Sequence, residues 1–379
     1  MTEDLSSLRD EAFRDPIDQL KQLLSQSSQS FLFGAGCSRC ANLPLMEELT
    51  DQVLKNETLS RNTKDILEFL VEEFKGPGVS TIEDYMSDLI DRLSIAQRRH
   101  DCKVDNCMLK LDKEYSLEDL RRSLEEIKYV IARSIIDKEI EISTHRNFIR
   151  AVHGMSRSGK LLNSPAVNYF ILNYDTLIED SLALERVPYV DGFSGGVTGW
   201  WDSNWSRNED IAARVFKVHG SIDWCLLEGD VLPRRIRPGI KSISHDERFM
   251  IWPAATKYRE TQRDPYAQMI SCMRKILRPS INTDAILTIC GYGFGDSHIN
   301  LELDRALRES EQRLTIVAFT NENKPNGQLK KWIEDHDVQD QVRIYANRGF
   351  FHGDKQIESN SDLPWWKFET VTRLLGGER

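Results

Sequence analysis

The sequence has no long apolar run. Across 379 residues, no stretch of about 18 apolar residues occurs, and no early stretch joins a basic start to a long apolar segment. Basic residues are outnumbered: 50 Lys and Arg against 60 Asp and Glu give a net charge of −10, which argues against strong direct binding of nucleic acid. We therefore expect a cytoplasmic protein without a membrane span.

Cysteine is sparse and scattered. The seven cysteines are an odd number at irregular spacing, which does not suit a disulfide framework. Reduced thiols agree with a cytoplasmic location. Hydrophobic residues make up 40% of the chain and charged residues 29%, which is typical of a folded globular protein and not of a disordered one.

What the chain does contain is a series of short apolar runs. Continuously apolar runs of this length suit strands that are buried on both faces, as in a parallel sheet flanked by helices. They predict an α/β fold with a Rossmann-like parallel sheet. The predicted strands are Phe31–Phe33, Ala166–Leu172, Arg214–Val218, Ala285–Cys290, Leu314–Phe319 and Val342–Tyr345.

Helical periodicity fills the stretch between the first two predicted strands. No strand signal occurs from about Leu59 to Arg150, so we predict a helical insertion at 59–159. The other predicted segments are an N-terminal helix and linker at 1–29, a nucleotide-binding domain at 30–58 and 160–350, and a C-terminal segment at 351–379. Aromatic residues near the C-terminus, Phe350 and Pro364–Trp366, either form a partner interface or pack on the chain's own core.

The loop after the first predicted strand contains two glycines two residues apart. Gly34, Ala35 and Gly36 permit a tight turn with close backbone approach to a pyrophosphate, and Ser38 can offer its hydroxyl to a phosphate or cap the next helix. A dehydrogenase fingerprint would have a third glycine where Arg39 stands, so hydride transfer is disfavoured. The alternative is a turn that serves packing only.

Polar residues follow the next two predicted strands. Asn173 and Asp175 are candidates for substrate binding, or else are turn formers and helix caps. His219 stands at a strand end beside Gly220, where it is placed to act as a base, although a lone histidine is often structural.

The most distinctive stretch is "GYGFGDSHIN", Gly291 to Asn300. Its glycines alternate with aromatic residues and lead to polar side chains, a pattern suited to wrapping a ligand. After the fifth predicted strand, Asn321 is either a ribose ligand or part of a plain turn. The ligand-binding candidates from these two loops are Gly291, Tyr292, Gly293, Asp296, His298 and Asn321.

The loops "GAGCS", "NYD", "HGS" and "GYGFGD", in this order, resemble those of the sirtuin-like superfamily of NAD-consuming enzymes. The resemblance implies that the glycine turn holds the pyrophosphate of NAD and that Asn173 and Asp175 hold the nicotinamide end. It also implies that His219 is the base. The two CxxC pairs of the deacylases are absent, so no four-cysteine zinc site is visible and we expect no metal.

The segment "PLMEEL" and the form of the fourth loop look like the bacterial antiphage branch of the superfamily. That branch hydrolyses NAD to ADP-ribose and nicotinamide, and many members work with a HerA-type ATPase or a short Argonaute. The resemblance thus implies an NAD hydrolase with such a partner. Because constant NAD hydrolysis would kill the cell, we expect the activity to be gated and the protein to be a homo-oligomer. The alternatives are protein deacylation, ADP-ribosyl transfer, or sensing of NAD or ADP-ribose without catalysis.

Overall fold

The computed structural model describes residues 4–24, 29–76, 80–103, 115–154, 165–205, 211–225, 227, 229–236, 248–250, 264–280 and 283–377. The helices within these ranges are α1 (Arg14–Leu24), α2 (Met46–Leu54), α3 (Arg61–Glu73), α4 (Ile82–Asp101), α5 (Leu117–Ile136), α6 (Ser143–His153), α7 (Leu177–Leu184), α8 (Tyr266–Ile276), α9 (Ser297–Glu309), α10 (Gly327–Glu334) and α11 (Phe368–Leu375).

The strands are β1 (Gln29–Phe33), β2 (Val167–Ile171), β3 (Tyr189–Val190), β4 (Phe193–Gly195), β5 (Gly199–Trp201), β6 (Ala213–Lys217), β7 (Gly220–Cys225), β8 (Arg234–Arg235), β9 (Arg248–Met250), β10 (Ala285–Cys290), β11 (Leu314–Thr320), β12 (Val342–Ala346), β13 (Gly349–His352) and β14 (Lys355–Glu358).

A large sheet organises the molecule and confirms the predicted α/β, Rossmann-like fold. Its strand order is β14-β13-β12-β11-β10-β1-β2-β6-β3. The strands from β12 to β3 run parallel, whereas β13 and β14 form an antiparallel extension. Each of the six predicted apolar runs forms one of the parallel strands.

Two hydrophobic cores cover the two faces of this sheet, which explains why its strands are apolar at successive positions. In β1, Phe31 and Phe33 point into one core and Leu32 into the other. Helices α8, α9 and α10 pack on the Leu32 face, and α1, α6, α7 and α11 pack on the opposite face.

The helices between β1 and β2 divide into two groups. Helices α2 to α5 share a third core, to which α2 contributes Leu49 and Val53. Helix α6 instead packs on the large sheet, where the Phe148 ring centroid lies 5.1 Å from that of Phe31. The packing therefore groups α2 with the predicted insertion and α6 with the sheet.

A second sheet, absent from the sequence-based prediction, has the order β4-β5-β8-β7-β9 and is antiparallel. Most of its strands have only two or three residues, too few for a period-two pattern to be visible. The chain passes from β6 to β7 through Val218 and His219, and Gly220 begins β7. The φ of Gly220 is 83°, a left-handed value that glycine adopts without strain.

The C-terminal aromatic residues lie inside the molecule. Phe350 and Trp365 are fully buried, and Trp365 Nε1 donates to the carbonyl of Ala346 at 2.7 Å. This burial supports the alternative in which these aromatics pack on the chain's own core. A partner interface in this segment stays a prediction. Among the described residues, no helix is long and apolar enough to cross a membrane.

Candidate functional site

A cavity of about 310 Å³ opens at the carboxyl ends of β1, β2, β6 and β10. Between β1 and β10 the strand order reverses direction along the chain, and open parallel sheets bind ligands at such a point. A larger cavity of about 480 Å³ lies between the N-terminal segment and Leu374, but no strand end contributes to it. We therefore take the cavity at the strand ends as the candidate site.

The glycine turn after β1 rests directly on the loop after β10. The amide of Gly36 donates to the carbonyl of Gly291 at 2.9 Å. A Cβ on Gly34 would lie 2.5 Å from the carbonyl oxygen of Gly291, and a Cβ on Gly36 would lie 2.7 Å from its Cα. Gly291 itself has a φ of 63°. Close backbone packing thus requires these three glycines.

The loop after β10 holds its shape through its own hydrogen bonds. The Tyr292 hydroxyl lies 3.1 Å from Oδ1 of Asn300 and accepts from the amide of Asp296 at 3.2 Å. Asn300 Nδ2 donates to the carbonyl of Phe294 at 2.7 Å. In contrast to Gly291, Gly293 and Gly295 have no neighbouring atom near the position of a Cβ, so space beside them is open.

Asn173, Ser38 and Asp175 form a hydrogen-bonded chain. Asn173 Nδ2 donates to Ser38 Oγ at 2.6 Å and to the carbonyl of Gly34 at 3.0 Å. Ser38 Oγ in turn donates to Asp175 Oδ2 at 2.6 Å. A carbonyl only accepts, so the Asn173 atom that faces Gly34 is nitrogen. Ser38 therefore positions Asn173 and Asp175, a role that the sequence did not reveal.

Asp175 also holds the turn that leads into helix α7, because its Oδ1 accepts from the amide of Leu177 at 3.2 Å. Its backbone carbonyl accepts from the buried Nζ of Lys217, which lies 3.6 Å from Glu179 Oε1. Burial raises the pKa of Glu179 to about 7, although the positive charge of Lys217 acts to lower it. The buried ion pair of Lys217 and Glu179 thus supports the loop that carries Asp175.

His219 meets the loop after β10 through His298. The two Nε2 atoms lie 3.1 Å apart, and both rings are buried. One ligand atom from each of His219, Asp296 and His298 lies within 4.8 Å of those of the other two. The sequence placed these residues in two separate loops, and the fold brings them together.

Helices α2, α4 and α5 supply one wall of the cavity. Met46 and Leu49 of α2, Glu83 of α4 and Ile135 of α5 line it opposite the strand ends. Leu49 also belongs to the core that α2 to α5 share. The site thus lies where the helical core meets the sheet.

Three of the four strand-end loops that form this cavity lie in a segment that matches a known protein family. Residues 167–340 match the family model of the SIR2-like domain. SIR2-like domains are NAD-dependent, so the match indicates an NAD-related activity. A comparison of the whole chain with curated proteins gave no match.

The SIR2-like match begins at β2 and covers less than half of the chain. It includes the loops of Asn173, His219 and Gly291 but not the glycine turn at Gly34. That turn is joined to the SIR2-like segment by its backbone contact with Gly291.

Most of the residues predicted for the site come together. The cavity is lined by Gly34, Ala35, Ser38, Asn173, Asp175, His219, Gly291, Tyr292, Gly293 and Asp296. Gly36 and His298 lie directly behind this lining, against Gly291 and His219. Asn321 does not line the cavity. It is exposed after β11, one strand beyond β10 in the sheet.

Sequence reasoning missed two charged contributors. Lys217 supports Asp175 from within the core, and Glu83 reaches the cavity from the helical insertion. A lysine near the end of the predicted strand "RVFKV" was the available signal for Lys217. No local pattern pointed to Glu83, because its place depends on how α4 packs.

Proposed function

We propose that the chain hydrolyses NAD at the bond between nicotinamide and ribose, releasing nicotinamide and ADP-ribose. The observation that carries the proposal is that Asn173, Asp175 and His219 line one cavity with the glycine turn. Because the nicotinamide cation is already a fair leaving group, the site mainly has to stabilise a developing oxocarbenium ion and supply a nucleophile. An amide, a carboxylate and an imidazole can together do this.

In the proposed reaction, a water oxygen attacks C1′ of the ribose while the C1′–N bond breaks. The bonding electrons leave with nicotinamide, and the proton of the water passes to His219. Both N–H groups of Asn173 Nδ2 are engaged by Gly34 and Ser38, so the amide meets the water or a ribose hydroxyl through Oδ1, as an acceptor.

The remaining groups bind NAD and stabilise the charge that develops during the reaction. The carboxylate of Asp175 offers negative charge to the oxocarbenium ion that develops at C1′, or holds the nicotinamide ribose. The backbone around Gly34–Gly36 and the open glycines Gly293 and Gly295 offer close approach to the pyrophosphate. NAD is thus the substrate, and none of these steps uses a metal.

We further propose that the activity serves antiphage defence by depleting NAD, with a HerA-type ATPase or another defence protein as partner and a homo-oligomer as the working form. The resemblance of "PLMEEL" and "GYGFGDSHIN" to that branch supports this context. We place the protein in the cytoplasm, where NAD is available to it.

The test is nicotinamide release from NAD by the purified chain, measured by chromatography. His219→Ala should lower the rate by about 10² to 10⁴ because the proton acceptor is lost. Asn173→Ala should also remove most of the activity. His336→Ala, at an exposed histidine that does not line the cavity, is the matched control and should retain the wild-type rate.

Product analysis separates the alternatives. A deacylase would release nicotinamide only when an acyl-peptide is present, an ADP-ribosyltransferase would label a protein acceptor, and a sensor would release none. Wild-type turnover by the folded His219→Ala or Asn173→Ala variant would refute the assigned roles.

A further inference from the structure

Three side chains that bind metals well converge beside the cavity. His219 follows β6, whereas Asp296 and His298 lie two residues apart at the start of α9. Their ligand atoms all lie within 4.8 Å of one another. We propose that His219, Asp296 and His298 form a binding site for a divalent first-row transition-metal ion such as Zn²⁺.

The distance between the histidines fits this proposal. Two nitrogens that each lie about 2.0 to 2.1 Å from one zinc ion in tetrahedral geometry are about 3.3 Å apart. The two Nε2 atoms lie 3.1 Å apart, within a few tenths of an ångström of that spacing. The alternative explanation for this distance is one N–H···N hydrogen bond between two neutral imidazoles.

The donor set selects the class of ion. Two imidazoles and one carboxylate suit zinc, cobalt, nickel or iron, whereas Mg²⁺ and Ca²⁺ prefer sites made of oxygen ligands. The surroundings suit a site with three protein ligands. His219 and Asp296 line the cavity, so a fourth coordination position would open into it. Both histidines are buried, which limits the competition from water.

The proposal differs from the sequence-based expectation of no metal because that expectation considered cysteine ligands only. The signal was present in the sequence as Asp296 and His298 at a spacing of two. Its third member, His219, is 79 residues from His298 in the chain. Only the adjacency of the strand ends brings them together.

The site can be tested without any enzymatic assay. The full-length chain, without an added histidine tag, is stripped with a chelator, dialysed and titrated with Co²⁺. A bound Co²⁺ is detected by its visible absorption, and thiolate ligands would add an intense charge-transfer band. We expect one Co²⁺ per chain, without that band, and displacement of Co²⁺ by Zn²⁺.

Variants decide which residues hold the ion. Loss of even an outer-shell partner typically weakens metal affinity by about 10- to 100-fold, so loss of a ligand should cost at least about tenfold. We expect that loss in His298→Ala and in Asp296→Asn, with circular dichroism to verify folding, and not in His336→Ala. His298→Gln is the substitute if His298→Ala does not fold. Absence of Co²⁺ binding by the wild type, or equal affinity in the folded His298 and Asp296 variants, would overturn the proposal.

One consequence rests on the proposed function. A metal ion would occupy the lone pair with which His219 accepts a proton, so Zn²⁺ should slow nicotinamide release several-fold and a chelator should restore it. If Zn²⁺ binds and the rate does not change, the metal site stands and the role of His219 as base is wrong. If the chain does not cleave NAD at all, the Co²⁺ titration still decides whether the site exists.

Discussion

At the scale of single residues, two kinds of glycine surround the cavity. Gly34 and Gly36 press against the backbone of Gly291, whereas Gly293 and Gly295 have open space where a Cβ would stand. The first kind holds the two loops together. The second kind leaves open space beside the loop, so glycines close in the sequence meet different structural demands.

This difference predicts a large effect on stability at one pair of glycines and almost none at the other. Gly34→Ala and Gly36→Ala should each lower the free energy of unfolding by about 1 to 3 kcal/mol, because the new methyl group overlaps the Gly291 backbone. Gly293→Ala and Gly295→Ala should change it by less than about 0.5 kcal/mol. Denaturation in urea provides the measurement, and a Gly34→Ala protein as stable as the wild type would contradict this account.

Which residues meet in the site was only partly predictable. Asn173, Asp175 and His219 stand at strand ends, and the rule that parallel sheets bind ligands there located them from sequence alone. The bonds of Ser38 to Asn173 and Asp175 were hidden, since they join positions about 135 residues apart. Asn321 shows the limit of the rule: it follows a strand, but that strand is not next to the cavity.

At the scale of elements, β6 and α7 are joined by a buried pair. Lys217 is the last residue of β6 and Glu179 lies in α7, with its Oε2 lacking a hydrogen-bond partner among the described residues. Burial raises the pKa of Glu179 from its ordinary value of 4.5 to about 7. The folded protein therefore binds a proton there more tightly than the unfolded chain does.

The stability contribution of Glu179 should consequently be full below pH 4.5 and be lost as the pH rises to about 7. Glu179→Gln keeps the shape and stays neutral. The free energy of unfolding of this variant, relative to the wild type, should thus increase by up to about 3 kcal/mol across this range.

Chemical denaturation of both proteins at a series of pH values measures that difference. Burial lowers the pKa of His145 to about 4, so its stability contribution is lost as the pH falls from 6.5 to 4. Because His145 is common to both proteins, its effect cancels in the comparison. A difference that does not change with pH, or that falls as the pH rises, would show that Glu179 is not responsible.

The elements themselves were predicted unevenly. The parallel strands gave clear signals, since burial on both faces makes each one continuously apolar. The second sheet gave none, because strands such as β8, with two residues, are defined by pairing and not by local sequence. Helix α6 looked like part of the insertion, although Phe148 packs on the sheet.

At the scale of the whole molecule, regulation is the main prediction. An NAD hydrolase that is always active would kill its own cell, so we expect a homo-oligomer whose NAD cleavage changes at least several-fold with a partner such as a HerA-type ATPase or with phage components. The helical insertion is the favoured gate, because its Glu83 and Ile135 line the cavity beside Met46 and Leu49 of α2.

Light scattering and nicotinamide release, with and without the partner, test this prediction. A monomer with full activity in isolation, and with no effect on growth when it is overproduced, would exclude gating by assembly. The burial of Phe350 and Trp365 makes those aromatics poor candidates for the contact surface, so interface mapping should begin on the insertion.

The wall of the cavity that α2, α4 and α5 provide also has a thermodynamic consequence. A ligand in the cavity touches side chains from the helical core and from the sheet, so it binds only when both are folded. Ligand binding then adds the same free energy to the unfolding of each part. Even if the two cores melt separately in the free protein, a saturating ligand should make them melt together as one cooperative unit.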